Sequence, residues 1–219
     1  MMEELKPGLD VDVLRSVIGR INEYLAERDS VREEAIRVSR DVIRNSGWAV
    51  TAVHKGDLDE ARRYLAEAER AARRLLEITS GYPELYYSGM VYNAISEYVE
   101  AKVFMSLILG EGLPGPEDLG VPPVPYLQGL GDVVGELRRL ALECVRRERF
   151  DIAWKLLDMM EAIYLEIRGL DYPEALAPGI RRKADVARRL VDDTKALLVD
   201  MENRFKLMEE LRRAGDHGV

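Results

Sequence analysis

The sequence predicts an all-α protein, a single bundle-like domain of about six long antiparallel helices that spans residues 1–219. Apolar residues recur every three or four positions along most of the chain, and no segment shows the sustained alternation that is typical of a strand. Glycine and proline are concentrated in a few short segments, which therefore mark the ends of the helices. Long helices with short connections pack as antiparallel neighbours around one core.

Each predicted helix lies between two of these breaks. Asp57 begins the second helix, because an aspartate followed three residues later by Glu60 is typical of a capping box. Pro83 suits the first turn of the third helix, where no backbone N–H is needed. Residues 110–125 form a Pro/Gly-rich connecting loop, and residues 214–219 form a flexible tail. In chain order the predicted helices span residues 10–54, 57–79, 83–109, 123–147, 150–168 and 178–213.

Composition places the chain among globular proteins of a reducing compartment. Apolar residues make up 47% and charged residues 33% of the sequence, which supplies both a core and a hydrated surface. No apolar run approaches the ~20 residues that a membrane helix needs, and the acidic start of the chain is unlike a secretory signal. A single cysteine, Cys144, excludes an intrachain disulfide. We therefore expect a cytoplasmic protein without a membrane partner.

The charge balance argues against non-specific binding of nucleic acid but leaves room for a local site. The net charge is −8, with 40 acidic and 32 basic residues, so a polyanion is repelled unless basic residues cluster. Arg37, Arg40 and Arg44 follow one another at helical spacing, and Arg138 and Arg139 lie close to a candidate acid. For each arginine taken alone, a surface salt bridge is an equally good interpretation.

The residues that carry most nucleophilic and zinc chemistry are scarce. Two histidines, His54 and His217, and one cysteine cannot form a zinc cluster or a Cys–His nucleophile pair. A Ser–His–Asp arrangement would rest on His54 alone. The sequence also lacks a glycine-rich phosphate loop between a strand and a helix. Carboxylates are what remains, and their position on a helix indicates which of them matter.

Glu97 interrupts the apolar face of the third predicted helix. Steps of four and three residues define this face, which is made by Met90, Ala94, Glu97, Ala101, Phe104 and Ile108. Glu100 lies three residues further along, on nearly the same face. Because an unpaired buried carboxylate costs several kcal/mol, Glu97 is expected to have a cation, a hydrogen-bond donor or a function.

Asp132 and Glu136 form a second acidic pair, on the fourth predicted helix. They stand four residues apart, where two carboxylates repel each other, and Gly129, Gly131 and Gly135 are expected to leave open space around them. Two acid pairs from two helices suit a hard cation such as Mg²⁺, which prefers oxygen ligands. The alternative is that Glu97 forms a salt bridge with an arginine, while Asp132 and Glu136 are solvated.

Four segments of the sequence resemble those of the translin and translin-associated factor X family, and their order and spacing hold across nearly the whole chain. They are SRD at 39–41 with His54 downstream, EYVEA at 97–101, YLQGLGDVVGELRR at 126–139 and IRRKADV at 180–186. The sequence departs from the family pattern at Val133, Val134, Arg138 and Trp48, the last in a region that is usually richer in lysine. None of these departures touches an acid.

The resemblance implies a translin-like fold of about seven helices, assembled into a hollow homo-oligomer, an octamer or close to it, that binds single-stranded RNA or DNA inside. One kind of subunit in the family binds nucleic acid without cleaving it, and the other carries four acids that hold Mg²⁺ and hydrolyse RNA. Glu97, Glu100, Asp132 and Glu136 occupy all four positions. The resemblance therefore implies an endoribonuclease that depends on Mg²⁺ or Mn²⁺, with these acids as catalytic and metal-binding residues.

In such an enzyme a metal-activated water would leave a 5′-phosphate and a 3′-hydroxyl. Glu100 is our candidate for a general base that does not bind the metal. The two arginine groups named above would hold the nucleic acid. Two other functions stay open: an oligomer that binds single-stranded RNA or DNA without turnover, and a helical scaffold that binds protein partners.

Overall fold

The structure, a computed structural model, describes residues 8–216, with side chains as far as residue 213. Every regular element in this range is a helix, which confirms the predicted all-α class. Six of the helices are long, and the other two are single turns of four residues. In chain order they are α1 (Val11–Lys55), α2 (Leu58–Thr79), α3 (Pro83–Tyr86), α4 (Gly89–Leu109), α5 (Pro116–Leu119), α6 (Pro123–Arg146), α7 (Phe150–Arg168) and α8 (Ile180–Asp216).

Capping residues fix the ends of the first two helices. The Asp10 carboxylate accepts a hydrogen bond from the backbone N–H of Asp12 at the start of α1. Gly56 ends this helix with a φ of 80°, which glycine adopts without steric cost. The Asp57 side chain then accepts from the backbone N–H of Glu60 at 3.0 Å and begins α2. The predicted break between these helices is confirmed to within one residue.

The third predicted helix is two helices in the structure. Pro83–Tyr86 form the single turn α3, and α4 begins only after Ser88. The Ser88 hydroxyl accepts a hydrogen bond from the backbone N–H of Val91 at 3.4 Å, and Gly89 follows it. Serine is favoured at the start of a helix and glycine is poor inside one, so one helix ends and another begins here. The single helix predicted over 83–109 is therefore wrong.

Two other segments contain more helix than predicted. The connecting loop 110–125 includes the single turn α5, which was not predicted, whereas α6 begins at Pro123 as predicted. The last helix, α8, continues to Asp216, so the first residues of the predicted tail 214–219 are helical. The final three residues, with His217 among them, lie outside the described part of the chain, as do residues 1–7.

The central helix of the bundle is α4. It packs against α1, α2 and α6, while α6 also contacts α7 and α8. Gly129 of α6 faces the backbone of α4, and a Cβ there would lie 2.4 Å from the Ser96 carbonyl oxygen and 2.8 Å from the Val99 Cβ. The missing side chain at Gly129 thus lets α4 and α6 approach closely. Both candidate acid pairs lie on these two helices.

Two helix segments expose apolar faces. The first half of α1, residues 11–27, contributes no buried side chain to the bundle. Its large exposed apolar residues are Val11, Val13, Leu14, Val17, Ile18, Ile21, Tyr24 and Leu25. Near the end of α8 the corresponding residues are Val199, Met201, Leu207, Met208 and Leu211. Contiguous apolar surface of this kind is typical of a contact with another molecule. The helices described between residues 8 and 216 include none with the length and apolar character to cross a membrane.

Candidate metal and RNA site

The two acid pairs predicted from the sequence meet between α4 and α6. Glu97 and Glu100 lie on α4, about one turn apart, and Asp132 and Glu136 lie on α6. Each glutamate of α4 interacts electrostatically with both carboxylates of α6. All four residues are half-buried. We call these four side chains the acid cluster.

Burial and like charge raise the pKa of both glutamates on α4. At Glu97 burial is the larger cause, followed by the nearby Asp132 carboxylate. At Glu100 burial and the charges of Asp132, Glu97 and Glu136 together raise the pKa to about 8. The Lys183 ammonium acts in the opposite direction on both glutamates. Glu100 therefore carries a proton in most molecules at neutral pH when no further cation is bound.

The two acids on α6 have basic side chains as partners instead. The Lys183 ammonium, near the start of α8, donates to both carboxylate oxygens of Asp132. His54, near the end of α1, donates from Nε2 to Oε2 of Glu136 at 2.5 Å, and Nη1 of Arg139 lies 3.7 Å from the same oxygen. The side chains of His54 and Lys183 are only 10% and 28% exposed, so water screens these pairs less than it screens pairs on the open surface.

Glycines control how closely neighbouring groups approach the acid cluster. Gly131 lies against the aliphatic stem of Lys183, and a Cβ at Gly131 would lie 3.0 Å from the Lys183 Cβ. The expectation that Gly129 and Gly131 leave open space is therefore wrong, because α4 and Lys183 fill the space beside them. Gly135 does fit that expectation, since a Cβ there would meet no other residue within 4 Å.

The alternative interpretation of the acids does not hold for the described residues. Among these, no arginine forms an ion pair with Glu97, and the cation that acts on it is Lys183. Asp132 and Glu136 are not simply solvated, because Lys183 and His54 bind them. The acid cluster is thus a group of four acidic side chains, of which the two on α6 are bound by two basic side chains from other helices.

Sequence reasoning missed Lys183 and His54 as members of this site. Lys183 follows Arg181 and Arg182 in a basic run at the start of α8, but both arginines are exposed and only Lys183 turns toward the acids. His54 has the position of an ordinary basic residue in the last turn of a helix. The sequence signal for Lys183 was the RRK segment at 181–183, which is part of the family resemblance. No role was assigned to its lysine.

The chemistry of the acid cluster suits a divalent cation, although the side chains are not gathered around one point. In the described part of the chain, no group of three or more histidine, cysteine, aspartate or glutamate side chains is arranged to hold a metal ion. The donors nevertheless fit Mg²⁺ or Mn²⁺, because four carboxylates offer hard oxygen ligands and the two on α4 lack an ion-pair partner in the described residues. An ion bound there would share Asp132 with Lys183 or displace it.

The candidate nucleic-acid-binding arginines are spread over two surfaces. Arg37, Arg40 and Arg44 are exposed on α1, and Nη2 of Arg44 binds Oδ1 of Asp41 at 2.5 Å. Arg139 is exposed on α6 and leans toward Glu136 of the acid cluster, whereas Arg138 is half-buried. The Arg138 Nε–H is buried and finds no partner among the described residues. Of the five arginines, Arg139 lies nearest to the acids by contact.

The chain is similar to known proteins over most of its length. A protein of Methanocaldococcus jannaschii described as uncharacterised is 30% identical over 192 residues, which cover 87% of this chain and 85% of that protein. The structure of AfC3PO in complex with duplex RNA superposes with a TM-score of 0.77 at 32% identity, covering 85% of this chain and 97% of the other. The crystal structure of apo-NeC3PO has a TM-score of 0.75 at 23% identity, covering 84% and 96%, which supports the fold alone. The sequence profile of the Translin family matches residues 30–202. The chain therefore belongs to the translin family.

Proposed function

We propose that this protein is a divalent-metal-dependent endoribonuclease that hydrolyses single-stranded RNA inside a hollow homo-oligomer. The observation that carries the proposal is the acid cluster: four carboxylates from α4 and α6, two of them with raised pKa and without an ion-pair partner in the described residues. A carboxylate group of this kind is unfavourable unless a cation or a reaction makes use of it.

RNA as the ligand is supported by the relative whose structure superposes over most of the chain, since AfC3PO was solved with duplex RNA. It is also supported by the position of Arg139, whose guanidinium lies beside the acid cluster and can bind a phosphate there. The overall charge of −8 does not argue against this, because a closed oligomer can gather basic residues on one surface.

Glu97, Asp132 and Glu136 would hold the metal, which supplies positive charge for the developing phosphate charge and makes a nearby water more acidic, and Glu100 beside them would be the general base. Lys183 and His54 orient the two α6 carboxylates from the side of α8 and α1. A cation bound beside Glu100 would lower its pKa from about 8, so that its carboxylate could accept a proton near neutral pH. Attack by water, unlike attack by the 2′-hydroxyl, leaves a 5′-phosphate and a 3′-hydroxyl.

Assembly is supported by the exposed apolar faces of α1 and α8, which a monomer would leave in water. Light scattering should give a mass near eight times that of the 24.9 kDa chain. A monomer at micromolar concentration would remove the hollow oligomer from the proposal, and with it the interior site.

The direct test is to incubate the protein with end-labelled single-stranded RNA, duplex RNA and single-stranded DNA, each with Mg²⁺, Mn²⁺ or EDTA. Internal cuts in single-stranded RNA that need the metal and carry 5′-phosphates support the proposal. Glu97→Gln should abolish the cuts, while Glu166→Gln, which changes an exposed glutamate of α7, should leave them intact. Cleavage that persists in EDTA would contradict it.

The second candidate is an oligomer that binds single-stranded RNA or DNA without significant catalysis. It is favoured by one observation, the Lys183–Asp132 ion pair, which already neutralises part of the acid cluster without a metal. Binding of labelled RNA that is independent of metal, together with uncut RNA under all conditions, would establish this function instead. Both outcomes are read from the same incubation.

A further inference from the structure

A cluster of exposed aromatic and basic side chains lies on α1 and α2, outside the acid cluster. The rings of Trp48 and Tyr64 lie 5.0 Å apart, and Trp48 is 45% exposed. The Arg44 guanidinium lies 5.4 Å from the Trp48 ring centroid, and the Arg63 guanidinium lies 4.4 Å from that of Tyr64. We call these four residues the Trp48 platform.

The platform is held in place by its neighbours. Arg44 is fixed by Asp41, and Tyr64 is half-buried and packs against the core. The other tryptophan of the chain, Trp154, has a structural role, since its indole N–H donates to Glu202 on α8 at 2.9 Å. Trp48 thus presents a partly exposed aromatic side chain that packs on Tyr64 beside the Arg44 guanidinium. This is the chemistry that binds an unpaired nucleobase by stacking.

A groove beside the acid cluster continues the exposed face of α1 that carries Trp48, and Lys55 and Arg139 line it. Trp48, Thr51 and Lys55 are exposed on successive turns of α1 and lead to a groove of about 500 Å³ between the end of α1 and α6. The groove is lined by Thr51, His54, Lys55, Arg139, Leu142, Glu143 and Arg146. His54 binds Glu136 of the acid cluster, and the helical rise from Trp48 to His54 is about 9 Å. A strand bound at the acids can therefore reach the platform within a few nucleotides.

We propose that the Trp48 platform stacks an unpaired base of the RNA strand whose backbone lies in this groove. The proposal rests on the proposed function, because it takes RNA as the ligand of the acid cluster. Lys55 and Arg139 would contact phosphates, which carry no sequence information, and the stacked rings accept any base. A base inside a duplex has no free face to stack, so the platform selects single strands over duplexes.

Fluorescence of Trp48 provides the test. Trp154→Phe leaves Trp48 as the single tryptophan of the chain. This variant is titrated, in EDTA to prevent cleavage, with a labelled oligouridylate, with a blunt RNA duplex, and with an oligonucleotide of the same length that lacks bases. Quenching of Trp48 emission reports stacking, and the anisotropy of the label reports binding of any kind.

The oligouridylate should quench Trp48, while the oligonucleotide without bases and the duplex should not. Trp48→Ala should weaken oligouridylate binding by about tenfold, and Trp48→Phe by much less. Tyr172→Ala, which removes an exposed aromatic residue outside the platform, should not change it. Unchanged circular dichroism of each variant shows that it has folded.

Three results would overturn the proposal. Binding by anisotropy without quenching, and without an effect of Trp48→Ala, would show that the strand takes another route, while RNA binding itself would stand. A blue-shifted Trp48 emission that RNA does not alter would show that another copy of the chain covers the platform. Failure of all three ligands to bind would contradict RNA as the ligand, and the proposed function would fail with it.

Discussion

The two halves of the acid cluster have the same number of carboxylates but different surroundings. On α6, Asp132 and Glu136 each have a basic partner from another helix. On α4, Glu97 and Glu100 have none among the described residues, and burial raises the pKa of both. The α6 pair is thus bound into the structure, while the α4 pair is left to be neutralised by protons or by an added cation.

This difference between the two pairs indicates that a metal would stabilise Glu97 and Glu100 on α4 most. Among the described residues, Lys183 is the one cation that acts on acids of both helices, since it binds Asp132 and opposes the rise in the pKa of Glu97 and Glu100. The single Lys183 ammonium neutralises the acids of α4 and α6 only in part. A divalent ion that enters between these helices would neutralise them further.

Glu97→Gln should lower RNA cleavage at least about 100-fold, a loss of the size seen when one charge-stabilising group leaves an active site. The variant keeps the shape of the side chain but loses the charge that the cation needs. Its melting temperature without metal should hold or rise, because one repulsive charge is removed from the cluster. The additional stabilisation by Mn²⁺ should shrink, since a ligand stabilises only through its affinity for the folded state.

Melting curves of wild type and Glu97→Gln, each with EDTA and with Mn²⁺, measure both effects. A large loss of stability without metal, combined with an unchanged Mn²⁺ shift, would remove Glu97 from the metal site. Glu166→Gln serves as the matched control, because its carboxylate lies on the exposed surface of α7.

Glu100 should make the free energy of unfolding depend on pH. Its pKa is about 8 in the folded protein and near its ordinary value when unfolded, so between about pH 4.5 and 8 the folded state binds a proton that the unfolded chain releases. Stability should therefore fall as pH rises through this range, by at most about 5 kcal/mol. Glu100→Gln should flatten the dependence and be the more stable protein at pH 9.

Urea unfolding at pH 5, 7 and 9 tests this sign. Mn²⁺ should reduce the alkaline loss in the wild type, because the cation favours the ionised carboxylate. A steep pH dependence that survives in Glu100→Gln would show that another group causes it.

Lys183→Met should destabilise the metal-free protein by about 2 kcal/mol, since it removes a charged donor from a partly buried carboxylate. The pKa values of Glu97 and Glu100 should rise further, and Mn²⁺ should restore more stability than it adds to the wild type. Lys195→Met is the matched control, because Lys195, also on α8, binds Glu161 of α7 at 2.8 Å in a more exposed pair. That pair is worth about 0–1 kcal/mol. Equal losses of stability in the two variants would show that the Lys183–Asp132 pair contributes no more than the exposed Lys195–Glu161 pair.

The sequence was sufficient for features that depend on neighbouring residues. Asp57 and Gly56 mark a helix boundary through local hydrogen bonding and a positive φ, and Glu97 stands out because it interrupts a helical stripe. The partners of the acids could not be found in this way. Lys183 is 51 residues from Asp132 and His54 is 82 residues from Glu136, so their pairing depends on how α1, α6 and α8 pack.

The smallest predicted effect is a difference in stability between two glycine substitutions on α6. Gly135→Ala places a methyl group where no other residue lies within 4 Å, so it should gain the helix propensity of alanine, about 0.5–1 kcal/mol. Gly131→Ala gains the same propensity but places its Cβ 3.0 Å from that of Lys183, which must shift the stem of the lysine. Gly131→Ala should therefore be less stable than Gly135→Ala by about 1–2 kcal/mol without metal. This difference in stability should become smaller with Mn²⁺, because the added cation replaces part of the positive charge that the displaced Lys183 ammonium provides. Equal melting temperatures would show that Lys183 reaches Asp132 without needing a glycine beneath it.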